Sequence, residues 1–171
     1  MTAIHLPHGA AENWWAGEAA ATIIAAVIAA VVLVVGYFVQ QGRARRERRA
    51  QAYGEAVRAI EDYLEAPFII LRRDGTRVAQ RQITDHISAV QSRIAFHRAE
   101  LAIYAAQPIS KAYAKLEAAA RAEAGAAMSK AWREKPITHG KKVPIGSRYS
   151  RERSNVALAR LVKLMRTDVY R

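Results

Sequence analysis

Hydrophobic positions form one unbroken run near the start of the chain, and the longer segments after it are amphipathic. The run covers residues 19–39 and contains no charged side chain. A helix of about 20 residues, rising 1.5 Å per residue, just crosses a hydrocarbon core of about 30 Å. Because lipid offers the backbone no hydrogen-bond partners, such a run must be helical. The pattern predicts a transmembrane helix over residues 19–39.

Charges on the two sides of this run are strongly asymmetric. No Lys or Arg occurs in residues 1–40, and all 27 follow it. By the positive-inside rule, tail 1–18 lies outside the cell and the part of the chain after the run is cytoplasmic. A cleaved signal peptide would carry its positive charge before a shorter run. The arginines expected to fix the topology and to meet anionic lipid are Arg43, Arg45, Arg46, Arg48 and Arg49. The aromatic side chains expected at the two interfaces are Trp14, Trp15, Tyr37 and Phe38.

The helix is expected to continue past the arginines as an amphipathic segment. Tyr53, Val57, Ile60 and Leu64 recur at helical spacing on one face. Pro67 is predicted to end the helix, because the residue before a proline disfavours the α region. The short apolar run 68–71 fits either an extended connector or a strand. After it, Asp74-Gly75 indicates a turn and Thr76 a helix N-cap.

Residues 77–105 show the clearest helical period of the soluble part. Seven positions step alternately by four and three residues, which is a heptad seam. One seam is not buried alone, so it needs partner helices from this chain or from another copy. The seam consists of Ile83, Ile87, Val90, Ile94, His97, Leu101 and Tyr104.

Two further helices are predicted after Pro108. Residues 109–132 form an alanine-rich helix that pairs with the previous one as a hairpin, or else continues it as a single kinked helix. Residues 134–149 contain two prolines and two glycines and are predicted to be a linker. The last segment, 150–171, is predicted to hold a basic amphipathic helix. It closes the bundle, lies in the inner leaflet or docks on a partner. Its apolar face consists of Leu158, Leu161, Val162, Met165 and Val169.

Together these segments predict an all-α protein with one transmembrane helix, a helical hairpin or small bundle, and a basic amphipathic C-terminal helix. The predicted boundaries are 1–18, 19–39, 40–133, 134–149 and 150–171. After the run, 27 basic residues face 13 acidic ones, so this part carries a net charge of +14. Such a field favours anionic partners, and the nearest is the anionic inner leaflet.

No residue set in the sequence predicts catalysis, a metal site or a cofactor. The chain has no Cys, which excludes disulfides, thiol nucleophiles and thiolate zinc sites. His97 and Glu100 share a helix face, but carboxylate-bridged metal bundles need several more ligands on facing helices. We therefore expect His97 to hydrogen-bond a neighbouring helix. We predict that the protein is not an enzyme.

Several short stretches resemble a group of single-pass membrane proteins from actinobacteria. These are QAYGEAV at 51–57, LEAP at 64–67, RR at 72–73, ISAVQ at 87–91, AFH at 95–97, RAEAG at 121–125 and WRE at 132–134. The resemblance covers most of the predicted cytoplasmic part. It implies an actinobacterial or phage setting and brings no activity and no site residue.

The sequence therefore predicts a membrane-anchored interaction or scaffold protein at the inner leaflet, with an unknown protein partner. One alternative is a phage-type lysis or lysis-regulating protein. Such a protein would form homo-oligomers through small residues of the span, such as Ala25 and Ala29. A second alternative is a membrane-tethered nucleic-acid-binding protein. Nucleic acid is the weaker partner, because no helix-turn-helix, zinc finger or aromatic RNA-binding pattern is present.

Overall fold

The structure is a computed structural model that describes residues 14–137 and 149–170. It contains four helices: α1 (Trp14–Leu71), α2 (Arg77–Tyr104), α3 (Gln107–Arg133) and α4 (Glu152–Val169). No strand occurs among the described residues. The all-α prediction is confirmed. Most of the predicted linker, residues 138–148, and most of the predicted external tail lie outside the described residues.

The chain divides into two compact units, 1–45 and 46–171. The described part of the first unit is the beginning of α1. In this helix the side chains of 14–21 and 23–27 lie outside the description, and they include Trp14, Trp15 and part of the run 19–39. Within the residues that are described, no helix has both the length and the apolarity needed to cross a bilayer. The structure therefore does not show the predicted span.

α1 continues through Pro67, so the predicted helix end there is wrong, and so is the connector or strand over 68–71. A proline inside a helix removes one backbone hydrogen bond and crowds the preceding turn. The cost is offset by burial, because Pro67, Phe68 and Ile70 all pack in the interior. The hydroxyl of Tyr149 also donates to the carbonyl of Leu64, in the turn that the proline disturbs.

The second unit is built on a hairpin of α2 and α3. Only Ala105 and Ala106 separate the two helices, and both have extended backbone angles. Arg73, just before α2, bonds to the last turn of α3, and Arg98 pairs with Glu117 further along. The two helices are thus antiparallel, and the alternative of one kinked helix is wrong.

The predicted α2 seam is filled within the chain. Its central residues pack with α1, α3 and α4 in the main core, whose members are Tyr53, Ala56, Ala59, Ile60, Tyr63, Leu64, Val90, Ile94, Leu101, Ile109, Ala112, Tyr113, Leu116, Ala120, Ala124, Leu161 and Met165. Ile83 belongs to a smaller cluster with Ile70 and Ala131, and Ile87 packs against it half-buried. Tyr104 is instead 81% exposed, because α2 ends at this residue and no helix covers it.

α4 packs against α3 and closes the bundle. On its apolar face Leu161 and Met165 are buried, while Leu158 is half-buried and packs against the core. Val162, at the edge of this face, is 48% exposed. Of the three alternatives for the C-terminal helix, the structure shows the one in which it closes the bundle, because most of its apolar face packs against the core.

A tight turn joins α1 to α2, as Asp74-Gly75 and Thr76 predict. Gly75 has φ +86°, and a Cβ there would lie 2.9 Å from the ring of Pro136. The Thr76 hydroxyl accepts the amide of Ala79 at 3.1 Å, which confirms the predicted N-cap. The Thr76 amide and hydroxyl both donate to Asp74, and these hydrogen bonds hold the pKa of the Asp74 carboxyl below its ordinary value.

Candidate interaction surfaces

The first unit presents an apolar helix surface. Every large apolar side chain from Ile28 to Val39 is at least about half exposed, up to 73% for Leu33. Five of them, Val31 to Val35, are consecutive, and five consecutive residues cover the whole circumference of a helix. The rings of Tyr37 and Phe38 meet edge to face at 5.9 Å. A helix that is apolar on all sides belongs in an apolar environment.

The predicted arginine cluster follows this surface along α1. Arg43, Arg45, Arg46, Arg48 and Arg49 are all exposed. Of these five side chains, only that of Arg49 has an ion pair among the described residues, at 3.8 Å from Asp168. Asp168 also accepts the Tyr53 hydroxyl at 2.7 Å. Burial and this bond raise the pKa of Tyr53 to about 12, so the hydroxyl keeps its proton.

Arg73 is a buried cation with a structural role. Its guanidinium donates to the carbonyls of Ile70 and Ala131, both at 2.9 Å, and to those of Trp132 and Glu134. These carbonyls lie where α1 and α3 end, and the last carbonyls of a helix have no partner within it. The guanidinium also lies 5.1 Å from the centre of the Trp132 ring. A single side chain thus satisfies the ends of two helices.

Glu123 has the matching role at the start of α4. Its carboxylate on α3 accepts the amides of Arg153 and Ser154, at 2.9 and 3.1 Å, and the hydroxyl of Ser154. Partial burial alone would raise the pKa of Glu123, but these hydrogen bonds outweigh it and hold the pKa below its ordinary value. α4 has no cap from its own side chains, so a residue of α3 supplies it.

Glu117 and His97, two further buried polar side chains of the bundle, also have partners. Glu117 is 5% exposed and bonds to Arg98 and Arg121. His97 Nδ1 lies 3.0 Å from a carboxylate oxygen of Glu100, so its partner is on its own helix and not on a neighbouring one as expected. Throughout the ranges 14–137 and 149–170, no three His, Cys, Asp or Glu side chains converge as a metal-binding group.

A basic groove runs between α3 and α4 on the outside of the second unit. α3 contributes Pro108, Lys111, Ala112 and Lys115, and α4 contributes Glu152, Arg153, Val156, Ala157, Arg160 and Leu164. We call these ten residues the α3–α4 groove. Its apolar residues are the small Ala112 and Ala157, the half-buried Leu164 and the exposed Pro108 and Val156, and its other residues are charged.

The cations of the α3–α4 groove are largely unused by the fold. Lys111, Lys115 and Arg160 are exposed, and none of them forms an ion pair within the described part of the chain. Arg153 lies near Glu123, and Glu152 is the single acidic residue of the groove. Lys111 and Lys115 are one helical turn apart, where like charges repel. The groove therefore holds a net positive charge, to which Lys111, Lys115 and Arg160 contribute without an ion pair to a described carboxylate.

Arg153 and Arg160 belong to the basic C-terminal helix that the sequence predicts, whereas Lys111 and Lys115 were missed. The sequence does contain a pattern that points to these two lysines. They are four residues apart among alanines, so on a helix they form a repulsive pair of like charges. Arg73 and Glu123 were missed because their partners are backbone groups distant in sequence.

No family model, no curated protein and no solved structure matches this chain. The resemblance to actinobacterial membrane proteins therefore stays a prediction.

Proposed function

We propose that the protein is a single-pass membrane anchor for a helical interaction domain, with residues 19–39 in the bilayer. The N-terminus lies outside, and the bundle of the second unit lies at the anionic inner leaflet. The bundle serves as a scaffold that recruits a partner to the membrane. The observation that carries the proposal is the one-sided charge around an uncharged apolar run, with all 27 Lys and Arg after it.

The exposed surface of α1 supports the membrane assignment. The side chains from Ile28 to Val39 expose apolar area that would cost about 25 cal/mol per Å² in water. Lipid removes that cost. The exposed arginines 43–49 then stand where cationic side chains meet anionic headgroups, each contributing about 1 kcal/mol near the surface.

The second unit supports an interaction role. The apolar seams of its helices are buried in a shared core, and the side chains of Arg73 and Glu123 cap helix ends. What the bundle leaves at its surface is unpaired positive charge beside apolar side chains. A surface of this kind suits recognition of an anionic partner.

The topology is tested by cysteine accessibility, since the natural chain has no Cys and gives no background. Ala10→Cys reports on the proposed external tail, and Ser92→Cys reports on an exposed position of α2. In intact cells a membrane-impermeant maleimide should label the first variant and not the second. After permeabilisation it should label both.

Labelling of Ser92→Cys but not Ala10→Cys in intact cells would reverse the proposed orientation. Recovery of the protein in the fraction that needs no detergent would refute the membrane span itself.

A further inference from the structure

The α3–α4 groove has the shape and charge of a receptor for one helix. Lining residues from Arg153 to Leu164 cover about 17 Å along α4, which is three helical turns. Pro108 and Lys111, near the start of α3, line the groove beside Leu164, near the end of α4. The two helices that form its walls are therefore antiparallel. A partner helix of three turns would follow α4 over this length and would contact α3 over about 10 Å, from Pro108 to Lys115.

The floor of the groove defines one side of the partner. Ala112 and Ala157 are small and let a partner backbone approach closely, while Val156 is 68% exposed and Leu164 half-buried. The exposed valine lines the same groove as these two small residues and offers a contact to an apolar stripe. Helix-in-groove complexes bury a stripe of this kind at i, i+3 or i+4, and i+7.

The rims define the flanks of the partner. Lys111 and Lys115 stand on the α3 side, and Arg153 and Arg160 stand on the α4 side. Cations on both sides of an apolar floor are complementary to a helix whose apolar stripe has acidic residues on both flanks. We propose that the α3–α4 groove binds an acidic amphipathic helix of a partner protein.

Two other anionic partners fit the groove less well. A bilayer surface is broad and flat, so it does not follow a groove three turns long with an apolar floor. A nucleic-acid backbone matches the cations but offers no apolar stripe to cover Val156 and Leu164. The acidic helix alone matches both the floor and the rims. This inference rests on the proposed scaffold role and deepens it by naming the class of partner.

The test uses the full chain in nanodiscs of neutral phosphatidylcholine and a labelled synthetic helix as probe. The probe carries leucines at i, i+4, i+7 and i+11, glutamates on both flanks and alanines elsewhere. A scrambled peptide of the same composition has no apolar stripe. We expect saturable binding of the probe by fluorescence anisotropy and much weaker binding of the scrambled peptide.

Arg160→Glu is the central variant, because Arg160 borders both halves of the groove. It should weaken probe binding by about tenfold, and Arg160→Lys should restore most of the affinity. Arg81→Glu is the matched control, since it makes the same charge change at an exposed position of α2. It should leave probe affinity unchanged. Circular dichroism of each variant verifies the fold.

Each other outcome overturns the proposal. Equal loss with Arg160→Glu and Arg81→Glu, or equal affinity for the scrambled peptide, would mean general charge attraction without a groove. A probe that does not bind, alongside binding of a short RNA duplex or of phosphatidylserine vesicles that Arg160→Glu abolishes, would assign the groove to nucleic acid or lipid. Since the chain is placed in nanodiscs beforehand, failure here leaves the cysteine-labelling result on topology unaffected.

Discussion

Two regions of the bundle use charge in opposite ways. At the junction of α1, α2 and α3, the buried Arg73 donates hydrogen bonds to backbone carbonyls. At the start of α4, the carboxylate of Glu123 accepts hydrogen bonds from backbone amides. Along the α3–α4 groove, Lys111, Lys115 and Arg160 are exposed and bind no described carboxylate. Charge alone therefore does not mark a functional surface. What matters is whether the fold already uses that charge.

The largest effect is expected from the removal of the Arg73 side chain. Arg73→Ala leaves the terminal carbonyls of two helices buried without donors, so the free energy of unfolding should fall by about 3 kcal/mol. Arg72→Ala is the matched control, because Arg72 is exposed and, among the described residues, its side chain pairs only with Glu65; it should cost less than about 0.5 kcal/mol. Chemical denaturation in detergent micelles measures both. Similar losses for the two variants would contradict the structural role of Arg73.

A smaller effect is expected at the α4 cap. Glu123→Gln should lower the free energy of unfolding by about 1 kcal/mol at neutral pH, as loss of an N-cap does. The pKa of Glu123 is lowered in the folded state, so its contribution is present above the unfolded pKa. That contribution is lost as the pH falls through the folded pKa. The variant should therefore converge with the natural chain in acid.

Glu152→Gln provides the control for this experiment, because Glu152 stands at the same helix end but its side chain accepts no hydrogen bond within the described residues. Its effect should stay within about 0.5 kcal/mol. A pH-independent gap between Glu123→Gln and the natural chain would rule out the cap as its cause.

The smallest effect on stability is expected in the groove. Lys115→Glu replaces a repulsive pair with Lys111 by an attractive one, one helical turn apart. Stability should change by less than about 0.5 kcal/mol, in the stabilising direction. Thermal melts followed by circular dichroism measure it. A clear destabilisation would mean that Lys115 is needed by the fold, and the comparison with Arg73 would fail.

The helices of the bundle could be predicted from the sequence because local patterns determine them. The seam from Ile83 to Leu101, the cap at Thr76 and the break before Pro108 each follow from spacing or from backbone chemistry within a few residues. The same reliance on local patterns led to the wrong prediction that Pro67 ends α1. The local cost of Pro67 is real, but burial of Phe68 and Ile70 offsets it, and burial depends on the whole fold.

The features that position the groove could not be predicted in this way. Arg73 and Ala131 are 58 residues apart, and Glu123 and Ser154 are 31 apart. In both pairs one partner contributes a backbone group, which every residue has and which leaves no pattern. The groove itself exists only because α4 packs antiparallel to α3, so its two rims come from helices that the sequence separates by a linker.

The contact between Arg73 and the end of α3 has a consequence for how the bundle opens. It joins the turn between α1 and α2 to the last turn of α3, so that one side chain links the two chain segments at the open end of the hairpin. The start of α2 and the end of α3 are then less free to fray independently. The amides at the start of α2 and in the last turn of α3 should exchange with deuterium together, because the same guanidinium links these two ends of the hairpin.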